Sequence, residues 1–304
     1  MKKTEKLEII RFLIKNYLSE EEFTLDKSCI ESILFEINED GTKSITKEIF
    51  ELLKIFKFDM NMINFNNAHI SGLNFSGLRN VKINIDKIPN KDLRESSFNG
   101  VKLIGSLYDS LIKATNFEGY IGFLVLDPQK LKEKDLRHTN LSNVTIVGSL
   151  DDVDIRYANF ENAKGKICIN PQLVKDKKLN GVSLKNIYLI GDMNENTKEF
   201  KTANFDGCEI CQTNFEGHKG NVIINPQTIF DKDLMFCDFS GVVFSGSFDG
   251  TDIYGASFKD SVNAQIDISK LKSSDVSFTD LTDAQIIQAP INIMQLTKKK
   301  KRKK

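Results

Sequence analysis

The segment Ala203-Asn204-Phe205-Asp206-Gly207 decides how this chain is read. It sets a small residue, an Asx, a large apolar centre, a freer residue and a glycine in consecutive order, and the chain repeats that order. Upstream, the centres are Phe65, Ile70 and Phe75, then Leu93, Phe98 and Leu103, then Ile112 and Phe117, Leu136, Leu141 and Ile146, Ile155 and Phe160, and Leu179, Leu184 and Leu189. Phe200, Ile210 and Phe215 continue the series around the segment, and Leu234, Phe239, Phe244, Ile253, Phe258, Val276, Leu281 and Ile286 close it. A five-residue spacing matches neither the 3.6 period of an amphipathic helix nor the alternation of a half-buried strand.

The flanking positions agree. Asn64, Asn74, Asp92, Asn116, Asp135, Asp154, Asn214, Asp233, Asp252 and Asp275 each precede a centre. Small residues such as Ala68, Ala158, Cys208, Cys237 and Ala256 stand two before it, and Gly77, Gly100, Gly119, Gly181, Gly217 and Gly241 two after. This unit resembles that of the pentapeptide-repeat family, and the resemblance covers about three-quarters of the chain, residues 61–287. It implies an all-β solenoid, a right-handed quadrilateral β-helix in which each unit makes one side. Four sides make about 20 residues per coil, with strands about 4.8 Å apart, so some ten coils would make a rod roughly 50 Å long. Polar residues and glycine belong on the outside and at the corners. Phe98, Leu136, Phe160, Phe205, Phe215, Leu234, Phe239, Phe244 and Phe258 are read as structural core, as are the other phenylalanine centres, Phe200 included.

A longer period overlies the short one. Asp127-Pro128-Gln129 recurs as Asn170-Pro171-Gln172 and Asn225-Pro226-Gln227, and Gly105-Ser106-Leu107 as Gly148-Ser149-Leu150 and Gly246-Ser247-Phe248, with Gly191-Asp192-Met193 a degenerate copy. The steps from Gly105 to Gly148 and from Gly148 to Gly191 are equal, and the step on to Gly246 is longer. Two added units, centred on Ile210 and Phe215, would supply most of that extra length, and a longer step from Leu189 to Phe200 the rest. Proline cannot donate to a ladder, so each Asx-Pro-Gln should mark a corner, structural or presented for docking, with short helical turns after it.

The ends differ in kind, and three parts are expected: residues 1–59, 60–290 and 291–304. Leu7, Ile10, Ile14 and Leu18 fit one helical face; Ile30, Ile33, Leu34 and Ile37 fit a second helix, with Ser28 and Glu31 as its capping box and Asp40-Gly41 as its stop. A third helix over residues 47–57 would turn Ile49, Leu52, Leu53 and Phe56 inward. Such a bundle is a small α-helical N-terminal cap that shields the first coil, or else a partner-binding module. At the other end, Pro290-Ile291-Asn292-Ile293-Met294-Gln295-Leu296 is apolar enough to cover the last coil or to form a homodimer. Lys298, Lys299, Lys300, Lys301, Arg302, Lys303 and Lys304 then make a solvated tail, with nucleic acid or an acidic lipid surface as the partners its charge suits.

The whole chain, 304 residues with 42 Lys+Arg and 42 Asp+Glu, has zero net charge, but that zero is a sum of unlike parts. Residues 1–60 carry −3, residues 61–297 carry −4 and the last seven carry +7. An odd count of five cysteines without an export signal points to reduced thiols and a cytoplasmic compartment, delivery as a secreted effector remaining open, and a bacterial host is expected. No apolar run is long enough to cross a bilayer.

Catalytic, cofactor-binding and metal-ligating residues are not expected. Cys208-Glu209-Ile210-Cys211 has no second pair to complete a zinc site, and His69, His138 and His218 are scattered. No Gly-x-Ser-x-Gly, phosphate-binding loop or dinucleotide fingerprint occurs. The long regular surface and the lack of catalytic signatures point to a non-enzymatic scaffold that presents repeat faces to a protein partner. The alternatives are a DNA mimic that binds a type II topoisomerase, for which −4 is weak beside one charge per about 1.7 Å of duplex, and tail-driven association with nucleic acid or an acidic membrane.

Overall fold

The computed structural model describes residue 8 and residues 27–56, 58–273 and 275–288. The helix expected over Leu7, Ile10, Ile14 and Leu18 lies outside these residues except for Glu8, and so do the apolar segment 290–296 and the basic tail 298–304. The chain divides into two compact units, residues 1–148 with 162–165, and residues 149–161 with 166–304.

The first unit begins with helix α1, Lys27–Leu34. It starts one residue before Ser28, so Ser28 stands inside the helix and cannot be its cap. Asp40-Gly41 does not stop this helix either. It forms the tip of a hairpin between β1, Glu36–Ile37, and β2, Lys43–Ser44, which leaves Ile37 exposed. Strand β2 pairs in parallel with β3, Ala68–His69, through Lys43↔Ala68 and Ser44↔His69. The hairpin thereby occupies an edge whose open N–H and C=O groups would otherwise template strand addition. Helix α2, Lys47–Ile55, is capped by Thr46, whose side chain accepts from the Ile49 N–H, and buries Ile49, Phe50 and Leu53. Leu52 and Phe56 are only partly covered, and Phe50 takes the inward place instead. Its ring meets Phe75 edge-on at 4.8 Å, while Phe35 meets Phe65 at 5.9 Å.

The β-helix follows from the register of the parallel pairs. Within the first unit, Ile83 pairs with Leu103 and Leu126 with Ile146, so the chain returns to the same line after four five-residue units. Lys102 then bridges to Ile121, and Thr145 to Lys164, in coils one residue shorter. A four-residue step re-enters the strand line at Val125. A full coil, a shortened coil and that step together make the long period. Gly122 and Gly165 form the steps, at φ +138° and +100°; a Cβ on them would fall 2.6 Å from the Leu103 carbonyl oxygen and 2.5 Å from that of Ile146. Only glycine fits so close to a backbone carbonyl.

The second unit repeats the plan, with Ile169↔Leu189, Ile224↔Phe244 and Ile266↔Ile286 as its full-coil pairs. Tyr188, however, bridges to Lys219, well beyond the length of a coil. The extra length is not added pentapeptides, since Phe205, Ile210 and Phe215 occupy ordinary places in one coil. It forms a projecting hairpin in which Met193 bridges antiparallel to Phe200 and the Gly191 N–H reaches the Lys201 carbonyl at 2.8 Å. Phe200 is accordingly 49% exposed and is not a core residue.

The two long-period motifs meet in space. The side chains of Asp127, Asn170 and Asn225 accept from the N–H of Gln129, Gln172 and Gln227, closing a turn that proline can open without losing a donor. One coil on, a Cβ on Gly148 would fall 2.7 Å from Asp127 Oδ1, and one on Gly246 2.6 Å from Asn225 Oδ1. Gln227 Nε2 also donates to the carbonyls of Ser247 and Asp249. Asn84 and Asp267 build the same corner without proline.

The interior is filled by two kinds of column. Phe98, Leu136, Phe160, Phe205, Phe215, Leu234, Phe239, Phe244 and Phe258 are all buried. Phe75, Phe98 and Phe117 stack at 5.7 and 5.8 Å in the first unit, as do Phe215, Phe239 and Phe258 at 5.7 and 5.4 Å in the second. Beside them runs a ladder of buried hydroxyls: Ser96 donates to the Ile70 carbonyl, Thr115 to Leu93 and Thr139 to Ile112 in the first unit, and Thr213 to Leu179 in the second. Each bond answers a carbonyl that would otherwise be buried without a second partner.

Candidate interaction surface

Because the interior is packed with phenylalanine, leucine and short hydroxyl side chains, polar chemistry is confined to outward rows. The informative row in the second unit runs through the repeats centred on Ile155, Leu179, Ile210, Leu234, Ile253 and Val276. The repeats centred on Leu93 and Leu136 carry its counterpart in the first unit. All but the Leu179 repeat have an Asx or Glu before the centre, and most of these accept the N–H two residues on; Lys178, before Leu179, instead pairs with Glu209 at 3.4 Å.

In the early members that acceptor is also an ion pair. The Arg94 guanidinium folds back on Asp92 at 2.9 and 2.7 Å, and Arg137 and Arg156 do the same to Asp135 and Asp154. Burial works to raise the Asp92 carboxyl, but Arg94 and its N–H together hold it below the usual carboxylate range.

Beyond Asp154 the second unit's row changes chemistry. Met235, Tyr254 and Ser277 now stand two after Asp233, Asp252 and Asp275, so each carboxylate keeps its backbone N–H, at 3.0, 3.2 and 2.9 Å, and among the described residues no guanidinium folds back on it. The Ser277 hydroxyl and N–H lower the Asp275 carboxyl. Asp233 and Asp252 are bridged neighbours on adjacent coils.

An aromatic ladder lies beside these carboxylates. Phe236 meets Tyr254 edge-on at 5.4 Å, and Tyr254 meets Phe278 at 5.9 Å. Phe236 and Phe278 occupy the corner position where glycine or Asx usually stands, at φ 55° and 64°, and remain 50% and 83% exposed. A left-handed backbone disfavours a bulky residue by about 1–2 kcal/mol. Phe236 recovers contact by lying over Gly255, where a Cβ would fall 2.5 Å from its ring. Phe278 touches Tyr254 but covers no glycine in this way. Sequence phase missed the ladder because it tracks centres; an aromatic residue two places after a centre was the available signal.

A small cleft of about 170 Å³ opens on the same row between Asn180, Glu209, Cys211, Phe230, Asp231 and Asp233. Cys211 lines it with its thiol pushed up to about 11 by burial and by the neighbouring carboxylates, while Cys208 is pushed up to about 12 by burial. Both are therefore protonated at neutral pH and poor nucleophiles. Cys208 and Cys211 are free thiols, the first buried against the Pro171 carbonyl. His69 faces Thr42, His218 bonds the Phe215 carbonyl, and no group of three metal-ligating side chains occurs among the described residues. No helix among them is long and apolar enough to cross a membrane. The partner residues expected in the tail, 298–304, lie outside the described residues.

Five-residue units, coils of four such units and stacked centres are now in one register. This chain is built of pentapeptide repeats. No family model matches it, and no curated protein gives a significant match. Among solved structures it is similar to HetL, a pentapeptide repeat protein involved in heterocyst differentiation regulation in the cyanobacterium Nostoc sp. strain PCC 7120, at 14% identity over 71% of this chain and 88% of that one, with a TM-score of 0.18. It is also similar to QnrB1, a plasmid-mediated fluoroquinolone resistance protein, at 13% identity over 75% and 95%, with a TM-score of 0.17. At such scores the superpositions carry no argument about this chain, whose repeat is read from its own register.

Proposed function

We propose that this protein is a non-enzymatic scaffold: a right-handed quadrilateral β-helix over residues 60–290, behind an N-terminal cap of residues 1–59, that presents its outward rows to a protein partner in the bacterial cytoplasm. The observation that supports this reading is the change along the second unit's row, from an Asp–Arg pair to open carboxylates beside an exposed aromatic ladder. Aromatic residues set among polar ones are the usual anchors of protein interfaces, because they bury large area at little entropic cost. The test is quantitative affinity capture from the native host with the wild-type chain and with Phe236→Ser/Phe278→Ser. A macromolecule retained at physiological salt and lost at least tenfold with the double variant supports the scaffold. Equal recovery by both chains would overturn it.

The second reading is a DNA mimic directed at a type II topoisomerase. The row Glu209, Asp233, Asp252, Asp275 favours it, with one carboxylate per coil. At about 4.8 Å per charge the row is sparser than the duplex, so the scaffold reading stands first. A supercoiling assay in which the chain neither inhibits nor protects the enzyme removes the mimic. Association of the basic tail with nucleic acid or acidic lipid is the third reading, tested by replacing all seven basic residues with glutamine and measuring retention on each.

A further inference from the structure

We infer that the outward face formed by the half-buried Asp233, Asp252 and Tyr254 with the exposed Asp275, Phe236 and Phe278 is the docking site of this chain's own basic tail, residues 298–304. Charge complementarity is the first ground. The tail puts seven consecutive cations, Lys298 to Lys304, on a chain whose remaining parts are both net negative. The face offers three carboxylates on three coils, each with one oxygen committed to a backbone N–H and, among the described residues, no guanidinium folded back on it. In the same row Asp154, which does have its arginine, is already neutralised at 2.6 Å. The aromatic residues add a second match, since lysine and arginine are attracted to ring faces and lay their methylene stems along exposed apolar surface.

Reach is the second ground. The described chain ends at Gln288, and Lys298 follows ten positions later. Ten extended residues span at most about 36 Å, whereas the three carboxylates lie within two coil spacings, roughly 10 Å. Asp275 lies on the coil that the pair Gln265↔Gln285 closes, beside Gln288, so a tether of this length reaches the face and holds the tail at an effective concentration in the millimolar range. Contacts too weak to matter between separate molecules then suffice within one. Phe278, in the last described coil, is the first anchor, which accounts for a strained and exposed phenylalanine that the fold itself does not use.

This inference shares its face with the scaffold reading and adds a competitor for it. The two fail separately, because its test reads contact within one chain and the scaffold test reads capture of a partner. A photo-reactive benzoylphenylalanine is placed at position 301 of the full chain, and equal amounts of heavy- and light-isotope protein are mixed before irradiation. The expected result is same-isotope cross-links to residues 233–236, 252–254 and 275–278, reduced at least tenfold by 1 M NaCl. Asp233→Asn/Asp252→Asn/Asp275→Asn should also reduce them tenfold, and it preserves folding because asparagine still accepts the backbone N–H. Phe278→Ser, at a surface position, should reduce them several-fold with an unchanged melting temperature. Cross-links that fall elsewhere, that persist in the asparagine variant, or that join heavy to light chains would overturn the assignment.

Discussion

The thiol of Cys237 donates to the carbonyl of Ile210 at 2.9 Å, in the place on the ladder where Thr213 donates to Leu179 and Thr115 to Leu93. Cysteine here substitutes for a hydroxyl inside the coil, and burial raises its pKa strongly. Cys237→Thr should therefore be tolerated, because it restores the stronger donor. Cys237→Val should cost about 1 kcal/mol by leaving the Ile210 carbonyl short of a partner. Urea unfolding of the two variants checks both.

Raised thiols also set a pH dependence. Each group is protonated in the fold, with pKa about 12 for Cys208 and about 11 for Cys211, against roughly 8.5 in the unfolded chain. Their contribution is fully present below pH 8.5 and is lost as pH rises through 11–12, where the unfolded chain has already shed its protons. Alkylation by iodoacetamide at pH 8 should leave Cys208 and Cys237 unmodified until denaturant is added, as mass spectrometry would show. Rapid labelling of both in the native protein would contradict the burial.

Gly165 and Gly220 should not accept alanine. A Cβ would meet the Ile146 or Leu189 carbonyl at 2.5 and 2.6 Å, at positive φ in both places. The backbone term alone is about 1–2 kcal/mol, and the overlap adds to it. Gly77→Ala, at positive φ but with no atom within 4 Å of the new Cβ, isolates the backbone term and should cost less. Thermal melts of the three variants measure the difference.

Removing residues 193–204 joins Asp192 to Phe205 and gives the third copy the spacing of its neighbours. The projecting hairpin is exposed at Met193 and Phe200, so the deletion should shift the melting temperature by only a few degrees. The matching cut inside the coil, residues 205–216, removes the buried Phe205, Ile210 and Phe215 and should abolish cooperative unfolding.

Phe98→Ala opens a cavity between Phe75 and Phe117 and should cost about 3–5 kcal/mol. Phe278→Ala should cost nothing or stabilise slightly, by relieving the left-handed phenylalanine. Paired denaturation curves separate a packed ring from one held at the surface.

The five-residue phase was legible because each coil needs an inward apolar group at every unit, which prints itself on the chain as Phe205, Ile210 and Phe215. The longer period was legible as a spacing but not as a cause: that Gly148 lies against Asp127, and Gly165 against the Ile146 carbonyl, depends on stacking one coil over another. The insertion in the third copy was misplaced for the same reason, since Phe200 carries the right residue type at nearly the right spacing and only pairing with Met193 takes it out of the coil.

By itself, then, the sequence determined the repeat, its five-residue coil unit and the buried centres other than Phe200, since those depend on which residues recur along the chain. Tertiary structure alone decided the surface. The N-terminal hairpin pairs with Ala68 because coil closure leaves an edge there, and Phe236, Tyr254 and Phe278 become one ladder because residues a coil apart are brought within ring contact. An outward position feels no packing requirement from its own unit, so its meaning is set by the coils above and below.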